Sequence, residues 1–135
     1  MKILEIKSLA IPEIKGIRFG RFHDNRGYFA ETFRHSDVGE ILGLAFLKNF
    51  DFVQFNESFA RANVVKGMHF QWQPPLGKLL RTVSGHMVDM ILDIRKNSPT
   101  FGKIIMHDMP ASADDDYNEW IWLPPGFAHG SYFVK

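Results

Sequence analysis

Short runs in which apolar and polar residues alternate follow one another along most of this chain. The clearest is Phe52–Phe59, where Gln54 and Asn56 share one face and Phe55 lies on the other. Alternation with a period of two is typical of β-strands. Similar runs predict strands at Ile3–Ser8, Ile14–Phe19, Tyr28–Phe33, Lys78–Ser84, His86–Ile94, Lys103–His107, Trp120–Leu123 and Phe127–Val134. Closely spaced strands with hardly any helix predict an all-β sandwich, jelly roll or barrel.

Two local details refine this prediction. One short helix should begin near Asp37, because an Asp followed three residues later by Glu40 has the outline of a helix N-terminus. Gly85 separates the predicted strands Lys78–Ser84 and His86–Ile94, which we expect to be neighbours in one sheet.

Composition narrows the class of protein. The 135 residues predict a single domain spanning 1–135, and 45% hydrophobic with 23% charged residues is ordinary for a globular protein. The net charge of +1 gives no indication of a nucleic-acid partner. There is no cysteine, which excludes disulfides, thiolate metal sites and cysteine nucleophiles. No secretory signal and no apolar run of about 20 residues is present, so we expect a cytoplasmic protein with no membrane partner.

The residues that suggest a reaction lie between Lys66 and Lys78. His69 lies between these two lysines, and the flanking segments alternate between apolar and polar residues as strands do. Imidazole has a pKa suited to removing a proton near neutral pH. A nearby cation stabilises the enolate that forms when a proton leaves the carbon beside a ketone. The grouping therefore indicates proton abstraction next to a carbonyl.

Six motifs in order resemble those of one family, the nucleotide-sugar 3,5-epimerases typified by dTDP-4-dehydrorhamnose 3,5-epimerase. They are Asp24–Glu31, Gln54–Ser58, Lys66–Gln71, Gly77–Arg81, Asp93–Arg95 with Ser98–Gly102, and Pro124–Gly130. The resemblance implies a cupin-type jelly roll (a double-stranded β-helix) that works as a homodimer with no metal or organic cofactor. It also implies epimerisation of a dTDP-linked 4-keto-6-deoxy sugar, a step in deoxysugar and cell-surface polysaccharide biosynthesis.

The resemblance further implies roles for individual residues. His69 matches the catalytic base, and Lys78 matches a group that stabilises the enolate or the pyrophosphate. The other substrate-binding positions of the family fall on Arg26, Glu31, Gln54, Asn56, Lys66 and His129. Asp89 and Asp93 share a strand face; orientation of an imidazole by one of them and salt bridges to Arg81 or Arg95 explain them equally well.

The chain departs from the family pattern in three places. Lys66 stands where the family usually has Arg, which loses a planar, two-pronged phosphate contact. The segment from His69 to Lys78 is about one residue shorter than usual. The sequence also ends before the positions of the family's proton-donating Tyr and of the Asp that pairs with the catalytic His. We therefore expect the domain to lack the family's C-terminal strands and helices, and its epimerisation to be weak or absent.

Three other functions stay open at this point. A single-carbon epimerase or a ketoisomerase would use the same fold and the same kind of site. A non-catalytic jelly roll would bind the nucleotide sugar without turning it over. A metal-dependent cupin is the third, because His69, Gln71 and His129 loosely echo metal-binding motifs, although three His and a carboxylate would be usual.

Overall fold

The computed structural model describes all 135 residues as ten β-strands and two short helices. The strands are β1 (Ile3–Ser8), β2 (Lys15–Gly20), β3 (Phe22–Asp24), β4 (Gly27–Phe29), β5 (Val65–His69), β6 (Lys78–Leu80), β7 (Gly85–Asp93), β8 (Ile104–Ala111), β9 (Tyr117–Leu123) and β10 (Phe127–Phe133). They form two antiparallel four-stranded sheets, ordered β1-β2-β9-β6 and β5-β10-β7-β8, and a separate β3–β4 hairpin. Because the chain crosses repeatedly between the two sheets, this is a jelly roll, and the predicted all-β class is confirmed.

Aliphatic and aromatic side chains from both sheets form one core between them. Met87 and Ile91 of β7 pack in the same cluster as Ile121 and Leu123 of β9 and Phe127 of β10. Ile91 and Ile121 have no exposed surface. Burying a side chain of this size stabilises the fold by about 1.5–3 kcal/mol. This core fixes which face of β7 and β10 points inward, and so which of their polar residues lie inside the molecule.

The outer face of the β1-β2-β9-β6 sheet is covered by the two helices, α1 (His35–Glu40) and a 3-10 helix (Leu42–Leu47). Leu44 and Leu47 pack there in a second apolar cluster with Trp120 and Trp122. The indole N–H of Trp120 donates to the backbone carbonyl of Thr32 over 2.7 Å. Neither helix has the length and apolar character needed to cross a membrane.

The helix prediction was wrong in detail. The helix begins at His35, two residues before the expected start, and Arg34 is its N-cap residue. Asp37 lies in the first helical turn, and its carboxylate accepts a hydrogen bond from the N-terminal ammonium of Met1 instead of capping the helix. An acidic residue in the first turn still favours the helix, because it faces the positive end of the helix dipole.

The predicted strand at Phe52–Phe59 is absent, although its alternation was the clearest in the chain. The segment has no regular secondary structure, and no strand of either sheet pairs with it. A strand needs a neighbour for its backbone groups, and alternation alone does not provide one. Gln54 and Asn56 are both exposed, and their side chains hydrogen-bond to each other over 3.1 Å.

The expectation that the strands on either side of Gly85 are neighbours was also wrong. β6 pairs with β9, whereas β7 pairs with β10 and β8 in the other sheet. The chain crosses from one sheet to the other between residues 81 and 84, and Gly85 follows with a φ of 94°, a conformation that favours glycine. Hydrophobic alternation defines the face of a strand and leaves its pairing partners open.

The connection between β7 and β8 is held by the buried carboxylate of Asp93. It accepts hydrogen bonds from the Nε and Nη2 of Arg95 over 2.9 and 2.8 Å, and from the hydroxyls of Ser98 and Thr100. The Arg95 guanidinium also reaches Glu13, 3.1 Å away. Of the two explanations left open for Asp93, the salt bridge to Arg95 is therefore the one that the structure supports.

Candidate active site

An irregularity in the pairing of β5 with β10 brings the motif residues together. His69 lies opposite His129, and Lys66 lies opposite Ser131. Gly130 alone therefore faces two residues of β5, Gly67 and Met68, which makes this a β-bulge. Residues directly opposite in an antiparallel pair share a face of the sheet. The bulge thus places Lys66 and His69 on the same face as His129 and Ser131.

Glycine permits the close approach of the two strands at this bulge. A Cβ atom added to Gly130 would lie 2.6 Å from the backbone oxygen of Lys66 and 3.1 Å from the backbone carbon of Gly67. Neither atom belongs to a flexible side chain, so any larger residue would push β5 away from β10. The glycine that follows His129 in the motif is therefore explained by backbone packing.

His129 is the centre of the site. Its ring lies against the ring of His69, with centroids 4.6 Å apart and planes inclined by 49°. Its Nε2 is 3.1 Å from the Nζ of Lys78, and its Nδ1 is 3.1 Å from Oδ1 of Asp89. The hydroxyl of Ser131 donates to the same carboxylate oxygen over 2.9 Å. Three predicted site residues, His69, Lys78 and His129, are thus in contact.

The environment of Lys78 makes it a less basic amine than an exposed lysine. Burial lowers the pKa of the Lys78 ammonium below its ordinary value of 10.5, and the negative charge of Asp89 opposes part of that effect. The ammonium has no carboxylate within salt-bridge distance, and its hydrogen bond goes to the imidazole of His129. A partly desolvated cation without a direct counter-ion is suited to meeting an anion brought by a substrate.

Lys66 lies on the same face of the sheet as His69 and His129, but its ammonium contacts neither of them. Its ammonium is 3.2 Å from the hydroxyl oxygen of Ser58 and 5.3 Å from the ring centroid of Phe133. Both contacts are weak and exposed, so the side chain is free to swing toward a ligand. Gln71 stands where a metal-binding cupin would usually have His, and its side-chain amide donates to the backbone carbonyl of Pro74.

Four of the eight predicted site residues make their contacts elsewhere. Arg26 is exposed in the β3–β4 turn, with its guanidinium on Asp24 at 2.6 Å. Glu31 is paired with Arg34 and with the N-terminal ammonium, and the Arg34 guanidinium lowers the pKa of Glu31 to about 2. Gln54 and Asn56 lie in the irregular exposed segment described above, so the strand whose face they were expected to share does not form.

Two polar residues of the site were not among the predicted site residues. Asp89 had two equally good explanations, and the structure supports its contact with an imidazole. Ser131 was not singled out at all. The available sequence signal was its position two residues after His129 in a strand, which puts both on one face.

A second polar region lies at one end of β8 and β9, around a cavity of about 210 Å³. Arg21 and Asn118 are buried there and hydrogen-bond to each other over 2.8 Å. Glu119 accepts from Arg18 and contacts the imidazole of His107. None of the eight predicted site residues lines this cavity.

Comparison with known proteins agrees with the motifs. A family model described as dTDP-4-dehydrorhamnose 3,5-epimerase matches residues 8–135. The chain belongs to the dTDP-4-dehydrorhamnose 3,5-epimerase family. Its relatives include the epimerase of Sinorhizobium fredii, 40% identical over 138 residues, with 96% of this chain and 63% of the relative covered. The epimerase of Neisseria gonorrhoeae is 38% identical over 127 residues, with 94% of this chain and 36% of the relative covered.

Solved structures of the epimerase family show the same fold. The dTDP-6-deoxy-D-glucose-3,5-epimerase of Legionella pneumophila, solved in complex with dTDP-4-keto-L-rhamnose, superimposes with a TM-score of 0.84 at 34% identity and covers 97% of this chain. This likeness confirms the cupin-type jelly roll. The chain spans 65% of that structure and 36% and 63% of the two relatives above, so it matches only part of the length of each.

Proposed function

We propose that this chain acts on a dTDP-linked 4-keto-6-deoxy sugar and removes a proton from a carbon next to the ketone. The observation that carries the proposal is that His129 contacts both His69 of β5 and Lys78 of β6, in a member of the epimerase family. An imidazole beside a partly buried ammonium is the pair that enolate formation requires.

His69 is the proposed base. Its Nδ1 is 3.3 Å from the backbone carbonyl oxygen of Gly67, so this nitrogen is the one placed to carry the proton. The Nε2 lone pair of the neutral ring then remains free to accept a proton from the substrate. His69 is exposed, so a substrate reaches it without any rearrangement of the core.

Lys78 is the proposed partner of the enolate oxygen. When the C–H bond breaks, its electron pair moves into the ring and negative charge develops on the former ketone oxygen. The Lys78 ammonium can donate a hydrogen bond to that oxygen. If a water molecule then gives the carbon a proton on the opposite face, the configuration is inverted, and the hydroxide takes up the proton that His69 holds. Return of a proton from His69 restores the original configuration and gives exchange alone. Arg26, Glu31, Gln54, Asn56 and Lys66 remain proposed contacts for the rest of the nucleotide sugar.

The proposal is tested by incubating the protein with dTDP-4-keto-6-deoxyglucose in D₂O and following the sugar by NMR. Deuterium at the carbons beside the ketone supports proton abstraction, and the product's configuration separates two-carbon epimerisation from single-carbon epimerisation or ketoisomerisation. Binding without any deuterium incorporation would refute the catalytic proposal and favour a nucleotide-sugar-binding module.

The lowered pKa of Lys78 predicts how deuterium incorporation depends on pH. As pH rises through this pKa, the ammonium loses its charge and the enolate loses its partner, so the rate should fall with a midpoint below 10.5. In Lys78→Arg the cation persists at all these pH values. That variant should therefore be slower but lack the alkaline fall; an identical alkaline fall would assign it to another group.

We also propose a second copy of this chain as a partner. β5 is the outermost strand of its sheet, and an unpaired edge favours association. Large apolar side chains are exposed on this strand and on the segments flanking it: Val53, Phe55, Phe59, Val65, Met68, Phe70 and Trp72. Exposed large apolar side chains near an open sheet edge favour burial in an interface. A cytoplasmic location remains a prediction from the sequence.

Sedimentation velocity at micromolar concentration should therefore show a dimer. We expect Val65→Lys, which places a charge on the exposed face of β5, to shift the protein toward the monomer. Phe101→Lys is the matched control, since Phe101 is similarly exposed but lies in the β7–β8 connection. Dissociation by the control, or a dimer unaffected by Val65→Lys, would contradict this location of the interface.

A further inference from the structure

Asp89 is a buried carboxylate with an unusual set of partners. It has no exposed surface, and no Lys or Arg lies within salt-bridge distance of it. Its Oδ1 accepts hydrogen bonds from the Nδ1 of His129 and from the hydroxyl of Ser131, while its buried Oδ2 has no hydrogen-bond partner. A buried charge that is only partly satisfied is unfavourable for stability. The unfavourable burial of Asp89 therefore indicates a role other than stabilising the sheet.

Asp93 provides the contrast, because it is equally buried and lies on the same face of β7. Both of its oxygens accept several hydrogen bonds, and Arg95 neutralises its charge. Asp93 therefore has a structural explanation within its own connection. Asp89 directs its one well-placed oxygen at the imidazole in the centre of the site.

The two hydrogen bonds of His129 are compatible with only one neutral tautomer. An ionised carboxylate can only accept, so Nδ1 must carry the hydrogen that faces Asp89. Nε2 then presents a lone pair, and the Lys78 ammonium at 3.1 Å donates to it. The other tautomer would set an N–H against the ammonium and a lone pair against the carboxylate. Both contacts would then be repulsive.

We propose that Asp89 is a positioning residue that holds His129 in the Nδ1–H tautomer, so that the Nε2 of His129 fixes the Lys78 ammonium beside His69. Asp89 itself touches neither the base nor the proposed substrate. Its importance for the reaction rests on the proposed function, whereas its control of the tautomer does not.

The tautomer is measured directly by long-range ¹H–¹⁵N correlation on protein labelled in histidine, at a pH where imidazole is neutral. The signals of His129 are identified by their loss in His129→Gln. We expect the Nδ1–H tautomer in the wild type. Lys78 alone still favours this tautomer in Asp89→Leu, so we expect a mixture, or the Nε2–H tautomer, only in the double variant Asp89→Leu/Lys78→Met. Ser131→Ala keeps the carboxylate and should keep the Nδ1–H tautomer. An Nε2–H wild type, or a double variant that retains Nδ1–H, overturns the proposal.

A second variant tests the cause even if Asp89→Leu does not fold. Lys78→Met removes the other partner of His129 at a half-buried position. If Asp89 sets the tautomer, Nδ1–H persists in Lys78→Met; if Lys78 sets it, the preference disappears and the proposal fails.

Deuterium incorporation then tests the catalytic consequence. Asp89→Leu should lower the rate about tenfold or more, equivalent to about 1.4 kcal/mol of transition-state stabilisation. Asp108→Asn, at an exposed carboxylate paired with His86 away from the site, should change it by less than about threefold, or about 0.6 kcal/mol. An unchanged rate in a folded Asp89→Leu overturns the positioning role. Absence of incorporation in the wild type refutes the proposed function instead, and the tautomer result stands by itself.

Discussion

Replacing His69 by Ala is expected to lower deuterium incorporation into dTDP-4-keto-6-deoxyglucose by at least about 10²-fold, the usual contribution of a positioned general base. No other imidazole in this structure combines exposure to a ligand with contact to the His129–Lys78 pair. The stability of the protein should hardly change, because His69 is exposed and its hydrogen bond to the backbone is long.

His86→Ala is the matched control for this experiment. His86 also lies on a strand and pairs with Asp108, but its contacts are away from the site. Its removal should leave the rate within about twofold of the wild type, as expected for a group without a catalytic contribution. Incorporation that persists in His69→Ala would show that the base is another group, and His129 would be the next residue to replace.

Asp93→Asn is expected to lower the free energy of unfolding by about 3 kcal/mol, a typical loss when one member of a buried ion pair is removed. The variant loses the negative charge that faces Arg95 and turns one acceptor oxygen into a donor, which faces the hydroxyls of Ser98 and Thr100. Urea unfolding at pH 7 measures the loss. Asp108→Asn, at an exposed carboxylate, should lose less than about 1 kcal/mol.

The same carboxylate predicts an acid sensitivity. Hydrogen bonds from Arg95, and then from Thr100 and Ser98, hold the pKa of Asp93 well below its usual range. The stability that this gives is present above the unfolded-state pKa of about 4 and is lost as pH falls below that value. Wild type should therefore lose more stability than Asp93→Asn between pH 5 and pH 2. Equal losses in the two proteins would exclude Asp93 as the source.

Most of the β-structure could be predicted because inward and outward residues alternate wherever a strand has one buried face. The nine-residue strand β7 shows this well, since its buried residues are every second one from Met87 to Asp93. The strand prediction failed at Phe52–Phe59 because alternation is only one of the two conditions that a strand must meet. Alternation there is as regular, but without a neighbouring strand the pattern has no ladder to stabilise it.

The sequence predicted several residues of the site but not how they are arranged in space. His69, Lys78 and His129 came from motifs, and the structure places them in contact. Their contacts span separations of up to 60 residues along the chain and depend on strand partners that no local pattern encodes. The pairing of Asp89 with His129 is an example. From the sequence, either aspartate of β7 could contact an imidazole, and only the register of β7 against β10 shows that Asp89 does.

The bulge in β5 explains the odd spacing of the two basic residues in its motif, Lys66 and His69. In a regular strand, positions an odd number apart project to opposite sides of the sheet, and Lys66 and His69 are three apart. When two residues three apart in a strand face the same ligand, the spacing indicates that a bulge interrupts the strand pairing between them. A relative with one residue fewer between the Lys and the His would present them to the same ligand from a straighter, continuously paired strand. A single-residue gap at this point of an alignment is therefore no evidence of a changed site.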